Sequence, residues 1–441
     1  MDRKLRLLVI SNTPWDDNNS FGNSFSNIFG GGYYEIANIY CQAGSPMTKV
    51  VSRFFQISEK DIIRKTVGKQ NFSGREVFCK KDTSAKFVEA TELSTREVGL
   101  IKFAKLKRWQ ILFWARDFIW AFNRWKSDAL KRFILDFKPD VIVQAVYPSS
   151  YINEIGIYAQ ELTGVPMVGN MSDDDYTYHQ FHLSPLWWMD RMIKRKYVKR
   201  SIERQEILYV IVEKARRVFD DIFGEKCKIL YKGAEFKEMP SHTLGMPLKL
   251  VYTGNIGSGR WKSLVEVAKV VKKINTGGEK AHLYISSPSP INRQMLEALN
   301  IKGASDFLGC ISLKEKIALQ RSADIVLNVE AFNLSERYSS WLSFSTKIVD
   351  YFEAGKCMVT IGWKGLGPIE YLKANEAGLV ITDSKEIETQ LTYLIDNAET
   401  LVPMYAKKCW ECGKRNHDIN VIRENLYMDL SALAFSEKKR L

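Results

Sequence analysis

Short apolar segments alternate with segments of helical spacing along this chain, and they form two successive series. The first series begins with the apolar run 5–10, and the second begins with 248–254. The segment 235–247 between them contains two prolines and is typical of a linker. Because strands that alternate with helices form mainly parallel sheets covered by helices, the pattern predicts an α/β protein with two Rossmann-like domains, at 1–238 and 248–400.

The length of the chain supports this division. At 441 residues it exceeds the size at which a single hydrophobic core usually stops growing. Hydrophobic residues make up 45% of the chain and charged residues 26%, which is typical of folded proteins. The final segment, 401–441, has helical spacing, and we expect it to pack back on the N-terminal domain.

The net charge of +13 is concentrated in two stretches that also carry aromatic residues. Residues 101–132 have a net charge of +7, and residues 191–204 have a net charge of +6. Localised positive charge implies an anionic partner, either lipid headgroups or nucleic acid. Because aromatic and basic helices can lie in a membrane interface, we predict contact with the membrane surface through 101–132 and 186–204. The alternative is a pair of core helices with solvated basic faces.

The cysteines and the hydropathy pattern bear on the compartment. Seven scattered cysteines suit a reducing environment, and the lone Cys409/Cys412 pair lacks the further ligands that a zinc site needs. No run approaches the ~20 apolar residues of a membrane span, and the first apolar run is too short for a signal peptide. We therefore expect a cytoplasmic protein, peripheral on the inner face of the cell membrane, with no metal.

Two candidate sites occur in the first series. Gly30, Gly31 and Gly32 precede a predicted helix at 33–42 and would let a ligand approach the backbone, although a flexible turn explains them as well. The GxGxxG fingerprint of an NAD site is absent. Asp173 and Asp174 follow the predicted strand 165–170, at the sheet edge where ligands of open α/β sheets bind. They are candidate catalytic residues, and the alternative is an acidic loop that caps the next segment.

In the second series, a glycine-rich loop at 254–262 precedes a predicted helix. Gly254 and Asn255 begin the loop, and Arg260 and Lys262 end it. Two fixed cations beside open backbone amides suit a diphosphate, although the loop lacks the Walker A pattern. Glu330 lies at the carboxyl end of a later predicted strand, 325–329, on the same side, and is a third candidate catalytic residue.

The stretch 343–355 predicts a short helix that begins among polar groups. Ser345 and Thr346 are good N-cap residues, and Lys347 follows them. Such a helix start favours phosphate binding, and Asp350, one turn further on, can accept hydrogen bonds from ribose hydroxyls. A capped core helix with solvated polar residues is an equal alternative.

Together these segments resemble the GT-B glycosyltransferases, specifically the glycosyltransferase family 4-like group, with two Rossmann-like domains facing a cleft. The resemblance is carried mainly by 248–383. The loop 254–262 is similar to the family's diphosphate loop, 307–312 to its base-contacting loop, and 345–350 with Gly355 to its ribose and phosphate helix. The first half matches through its strand and Gly30–Gly32.

The resemblance implies a retaining hexosyltransferase that uses a nucleotide-diphosphate sugar, a UDP-sugar, as donor and needs no cofactor. The family's signature of two glutamates falls here on Leu342 and Asp350, so that Glu330 or Glu336 would replace the first glutamate. Taken together with the basic stretches, the resemblance implies a glycan or lipid-linked acceptor that is presented at the membrane. It also implies a role in polysaccharide biosynthesis.

Three alternatives remain at this point. A UDP-sugar epimerase of GT-B type would need acid and base groups but no acceptor surface. A nucleic-acid-binding protein would explain the charge, but no recognition-helix, RRM or OB pattern occurs, and we expect no nucleic-acid partner. A non-catalytic sugar-binding scaffold would explain Leu342.

Overall fold

The computed structural model describes residues 4–79, 110–122 and 124–436. Within these ranges the chain forms an eight-stranded sheet followed by a six-stranded sheet. Helices cover both sheets, and the two-domain α/β architecture expected from the sequence is confirmed.

The first sheet has the order β4-β3-β2-β1-β5-β6-β7-β8, and β4 alone pairs in the antiparallel sense among its strands. Its strands are β1 (Leu5–Ser11), β2 (Tyr34–Tyr40), β3 (Arg53–Gln56), β4 (Arg75–Val77), β5 (Val141–Ala145), β6 (Met167–Met171), β7 (Ile207–Val210) and β8 (Cys227–Ile229). The order reverses direction between β1 and β5. In open α/β sheets a ligand crevice forms at such a switch point.

The second sheet is parallel and has the order β11-β10-β9-β12-β13-β14. Its strands are β9 (Leu248–Thr253), β10 (Ala281–Ser286), β11 (Ser305–Gly309), β12 (Ile325–Val329), β13 (Cys357–Ile361) and β14 (Leu379–Ile381). Here the switch point lies between β9 and β12, so both sheets have a crevice at the carboxyl ends of their central strands.

The α-helices alternate with the strands. In the first half they are α1 (Ser20–Phe29), α2 (Glu59–Thr66), α3 (Gln110–Ala121), α4 (Asp128–Phe137), α5 (Ser150–Thr163), α6 (Pro185–Glu203) and α7 (Glu213–Phe223). In the rest of the chain they are α8 (Arg260–Ile274), α9 (Arg293–Leu299), α10 (Leu313–Arg321), α11 (Leu334–Ser339), α12 (Lys347–Glu353), α13 (Gly367–Ala374), α14 (Ile387–Asp396), α15 (Ala398–His417) and α16 (Ile419–Ser436).

The beginning of the chain differs from the sequence prediction. The predicted helix at 33–42 is the strand β2, and the preceding segment, predicted as a loop, contains α1. β2 is buried on both faces, so its apolar residues do not alternate and mimic helical spacing. The apolar stripe of α1 is interrupted by serine and asparagine, residues that also suggest a loop. The predicted strand at 47–54 is likewise displaced, since β3 begins at Arg53.

The C-terminal segment connects the two halves. α15 packs against α12 and β13 of the second half, whereas α16 packs against α1 of the first half. The chain crosses between them where the backbone of Ala234 bonds to His417 and Ile419, at 2.9 and 3.0 Å. The part of the predicted tail before His417 therefore packs with the second sheet, and the part after it packs against α1 of the first half.

Of the two basic stretches, 186–204 lies wholly within the described residues and 101–132 lies only partly within them. Residues 101–109 lie outside the described ranges, as does the side-chain environment of 110–113. Trp120 and Trp125 are buried in the core rather than exposed, whereas Phe118 and Phe122 face solvent. Among the described residues, no helix combines the length and the apolar character needed to cross a membrane.

Candidate functional site

A cavity of about 680 Å³ lies between the two halves, at the carboxyl ends of the strands of the first sheet. The residues that follow β1, β5, β6 and β8 form one side, including Thr13, Tyr147, Asp175 and Lys232. The segment 343–346 of the second half forms the other side. The cavity therefore occupies the switch point of the first sheet and is closed by the segment that precedes α12.

Asp174 does not face this cavity, and its predicted catalytic role is corrected by the structure. Its side chain is 0% exposed and accepts an ion-paired hydrogen bond from Arg191 at 3.2 Å. It also accepts from Trp341 Nε1 at 2.8 Å and from the backbone N–H of Thr177 at 2.7 Å. Because every lone pair is occupied by a fixed donor, Asp174 holds the loop in shape and has no capacity to bind a substrate.

Asp173 and Asp175 are the carboxylates of this loop that do line the cavity. Asp173 accepts a hydrogen bond from the hydroxyl of Ser343 in the second half. Burial raises the pKa of Asp175 well above its ordinary value, and the neighbouring charge of Asp173 raises it further. A carboxyl group with such a pKa can hold a proton and exchange it with a hydroxyl in the cavity.

The acidic loop also joins the two halves. The Trp341 indole of the second half bonds to Asp174, and the ring of His179 lies 4.1 Å from the Trp341 ring, centroid to centroid. The next residue, Leu342, is buried in an apolar cluster that includes side chains from both halves. The position that resembles the first signature glutamate is therefore a core position, from which no side chain reaches the cleft.

A second cluster lies at the switch point of the second sheet. Arg260 begins α8 after β9, and its Nε donates to Glu330 at the end of β12 over 2.7 Å. Lys347 lies close by, with its Nζ 4.3 Å from the ring centroid of Tyr252. Burial is the main cause that lowers the pKa of Lys347 to about 7. The cluster thus combines two cations with one carboxylate, and the lysine gains its full charge when an anion binds beside it.

The glycine-rich loop is arranged around this cluster. Gly254 has a φ of +144°, a conformation that favours glycine, and a Cβ there would lie 3.7 Å from Lys347 Nζ. The side chain of Asn255 accepts bonds from Gly257 N–H and Ser289 Oγ, which stabilise the loop. Lys262 is exposed, with its Nζ 5.8 Å from the ring of Trp261. The structure thus brings Gly254, Arg260, Glu330 and Lys347 together and leaves Lys262 at the surface.

The start of α12 borders the cavity. Ser345 and Thr346 line it, and Thr346 is the N-cap residue, although its hydroxyl makes no capping hydrogen bond. Asp350, one turn further on, accepts a hydrogen bond from Lys232 Nζ at 2.7 Å. Gly355 adopts a left-handed conformation after the helix, as the sequence predicts. Glu336, the alternative to Glu330, belongs to α11, where burial raises its pKa.

The glycines of the first half lie elsewhere. Gly30 caps the end of α1, and Gly31 and Gly32 lead into the amino end of β2. A Cβ on Gly31 would lie 3.2 Å from the side chain of Arg423 on α16. The prediction that these glycines precede the first helix at the ligand edge is wrong, because they follow that helix and lie at the opposite edge of the sheet.

Sequence reasoning missed two cavity residues, Asp175 and Lys232. Asp175 belongs to the same acidic run as Asp173. Because successive side chains of an extended loop point to alternate sides, Asp173 and Asp175 could have been expected to share a side. Lys232 lies three residues after the end of β8, so its position near the carboxyl edge of the sheet was the available signal. Among the described residues no group of three or more potential ligands could hold a metal ion.

Comparison with solved structures identifies the architecture. HepE from Anabaena, solved with UDP-glucose, is 12% identical with a TM-score of 0.59, over 97% of this chain and 100% of that chain. TarM is 11% identical with a TM-score of 0.61, over 97% and 99%. WaaG, a glycosyltransferase involved in lipopolysaccharide biosynthesis, is 11% identical with a TM-score of 0.54, over 97% and 99%.

The structural neighbours of this chain are GT-B glycosyltransferases, and the chain has the GT-B fold. No protein-family model matches the chain, and no curated protein matches its sequence.

Proposed function

We propose that this protein is a glycosyltransferase that moves a sugar from a UDP-sugar to a glycan or lipid-linked acceptor at a membrane surface. The observation that carries the proposal is the position of the Arg260–Glu330–Lys347 cluster. It lies at the switch point of one sheet, next to a cavity lined by carboxylates at the switch point of the other. A donor diphosphate beside the cluster would present its sugar to an acceptor in the cavity.

The donor diphosphate would bind to Arg260 and Lys347, with Gly254 allowing close approach of the backbone. As the bond between the sugar and the diphosphate breaks, negative charge develops on the leaving phosphate, and fixed cations stabilise it. Glu330 holds the Arg260 guanidinium in place through the bond between them. Asp350 would bind the ribose through Oδ2 while Oδ1 keeps the bond from Lys232, and the amides and hydroxyls of Ser345 and Thr346 would contact the phosphates.

The structural neighbours support a uridine nucleotide. One was solved with UDP-glucose, and a trehalose-6-phosphate enzyme from E. coli, which covers 96% of this chain with a TM-score of 0.56, was solved with UDP-2-fluoro glucose. Residues Asp173 and Asp175 would bind acceptor hydroxyls, and Asp175 can take up the proton that the attacking hydroxyl releases. Retention of configuration is part of the proposal, and the anomeric proton signal of the product in NMR decides it.

An apolar patch on α6 supports an acceptor presented by a membrane. Its members are exposed apolar residues between the acidic loop and the middle of α6: Phe181, Leu183, Leu186, Met189, Met192 and Ile193. Leu183 is 86% exposed, and the basic residues Lys196, Lys199 and Arg200 follow the patch on the same helix. Apolar side chains next to cations match an anionic lipid surface. The patch begins a few residues after Asp175, so a bound membrane would lie near the cavity.

Replacing Leu183 and Leu186 together with serine is expected to reduce binding to anionic lipid vesicles by tenfold or more. Each exposed leucine that enters the lipid interface contributes about 1–2 kcal/mol, and about 1.4 kcal/mol is a tenfold change. Cosedimentation with vesicles of phosphatidylglycerol and phosphatidylcholine measures the partitioning. Leu313→Ser, at a leucine of the second half that is 63% exposed, is the control. If both variants bound the vesicles equally well, the apolar patch would no longer support the proposed contact with the membrane.

The donor site is tested with Arg260→Gln, which removes the charge but keeps an amide that can donate to Glu330. We expect UDP to bind about tenfold more weakly, because Glu330 already neutralises part of the arginine charge and the remaining contribution is about 1.4 kcal/mol. The thermal midpoint with and without UDP measures the change, since binding to the folded state raises it.

Lys269→Gln is the matched control, because Lys269 is an exposed cation on the same helix. It should leave the UDP-induced shift unchanged. If no nucleotide shifts the midpoint of the unmodified protein, the transferase proposal is wrong and RNA and vesicle binding become the next measurements.

A further inference from the structure

The cavity between the halves has an unusual charge composition for a site in a strongly basic protein. Among the described residues that line it, two are acidic, Asp173 and Asp175, and one is basic, Lys232. Arg260 and Lys347 belong to the neighbouring cluster and do not line the cavity. The net charge of +13 therefore resides outside this chamber.

The single cation is already neutralised. Lys232 donates to Asp350 at 2.7 Å, and its side chain is 15% exposed. Arg191, which underlies the acidic loop, is held by Asp174 and by the carbonyl oxygens of Asp174 and Thr177. The guanidinium and the ammonium are thus not available to pair with an anionic group in the cavity, where the carboxylate of Asp173 is bonded to the neutral hydroxyl of Ser343.

The start of α1 also borders the cavity and contributes a partial positive charge. Its N-cap residue Asn19 accepts a hydrogen bond from Gly22 N–H at 2.7 Å, so one of the backbone N–H groups at this helix end already has an acceptor. The field of a helix end corresponds to about half a unit charge, which is less than that of one carboxylate. The acidic loop therefore determines the sign of the local potential.

The remaining residues that line the cavity suit the apolar face of a sugar ring. Phe21 and Phe25 lie together on α1, with ring centroids 4.3 Å apart, and Phe344 and Val349 contribute apolar surface from the second half. Hydroxyl and amide side chains, including Ser24 and Asn170, lie between them. Such a lining offers apolar contacts and hydrogen bonds without requiring a charge on the ligand.

We infer that the acceptor unit that enters this cavity is an uncharged sugar, and that a phosphorylated sugar or a uronate is rejected. The inference rests on the proposed function and adds the chemical class of the acceptor. An anion there would face the carboxylate of Asp173 and also the donor diphosphate, without a free cation to balance it. If the acceptor is attached to a lipid through phosphate, that phosphate lies outside the cavity.

The test uses methyl glycosides of the common hexoses and of N-acetylglucosamine, each beside its phosphorylated counterpart and its uronate. Each compound is titrated into the full-length protein saturated with UDP, and binding is measured by calorimetry. We expect an uncharged glycoside to bind at least tenfold more tightly than its charged counterparts, the effect of one like-charge contact at a partly buried site. Tighter binding of a phosphorylated sugar or uronate would overturn the inference.

Asp173→Asn tests the cause within the same series. The ratio of affinities between the uncharged and the charged members should fall severalfold in this variant, because the Asp173 carboxylate no longer opposes the anion, while the amide keeps an oxygen that can accept from Ser343. Asp136→Asn, at an exposed position on α4, should leave the ratio unchanged. An unchanged ratio in Asp173→Asn would contradict the electrostatic explanation.

Failure of the inference and failure of the proposed function give different results. If UDP binds but no sugar binds, the cavity is not the acceptor site and the inference is wrong, while the donor proposal stands. If UDP does not bind, the proposed function fails and the inference fails with it.

Discussion

Replacing Lys347 with alanine is expected to weaken binding of UDP by about 100-fold. The ammonium of Lys347 lies beside Gly254, Tyr252 and the Arg260–Glu330 pair, where the surrounding protein shields it from most of the solvent. Loss of a charged hydrogen-bonding group at such a site costs about 3 kcal/mol, which corresponds to this factor. Calorimetric titration with UDP measures the affinity directly. Lys373→Ala, an exposed lysine on α13, should bind UDP as the unmodified protein does.

The same lysine gives UDP binding a pH dependence. Burial lowers its pKa from 10.5 to about 7 in the folded protein without ligand. Between these values the unfolded chain holds a proton that the folded chain lacks, so the contribution of this lysine to stability increases as pH rises from about 7. A diphosphate restores the charged form, and binding then takes up a proton.

The affinity for UDP should therefore decrease as pH rises above about 7, by up to tenfold per pH unit until the pKa of the bound state is reached. Lys347→Ala should lose this dependence together with the affinity. A flat profile in the unmodified protein, or equal UDP affinity in Lys347→Ala, would mean that the diphosphate binds elsewhere.

Replacing Asp174 with alanine is expected to reduce the free energy of unfolding by about 3–5 kcal/mol, the usual cost of removing one member of a buried ion pair. The guanidinium of Arg191 would remain buried without its carboxylate, and the indole N–H of Trp341 would lose its acceptor. The change therefore affects both the acidic loop and its contact with the second half. Urea unfolding measures the loss.

Asp173→Asn is the matched comparison, because Asp173 is the adjacent carboxylate, is exposed, and keeps an oxygen that can accept from Ser343. It should change the unfolding free energy by less than about 1 kcal/mol. If Asp174→Ala were as stable as Asp173→Asn but inactive, the original interpretation of Asp174 as a catalytic group would be restored.

Much of the fold follows from the sequence because buried parallel strands are apolar throughout. β12 begins and ends at the predicted residues 325 and 329. The secondary structure was predicted wrongly where a residue that is polar in type is buried inside a strand. Asn38 is polar but buried in β2, where its amide donates to Val9 O and Ser11 Oγ, so the strand lacks a clean apolar run.

The candidate site was predictable to the level of segments but not of side chains. The loop after β9, the end of β12 and the start of α12 converge as expected, since the carboxyl ends of parallel strands share an edge. The sequence could not distinguish Asp174 from its neighbours, because the distinction depends on Arg191 and Trp341, which are distant in the chain. The partner of Asp350, Lys232, is likewise supplied by the other half.

The position of α16 has a consequence for synthesis of the protein. Leu426, Leu430 and Ala434 belong to the same apolar core as Leu7 and Val9 of β1, near the start of the chain. This helix emerges from the ribosome only after the second half has emerged and can form its own sheet. Domains usually fold as units from the N-terminus during translation. Here part of the interior of the N-terminal half stays open until α16 is made, and a chain that stops before α16 would expose that surface to chaperones and proteases.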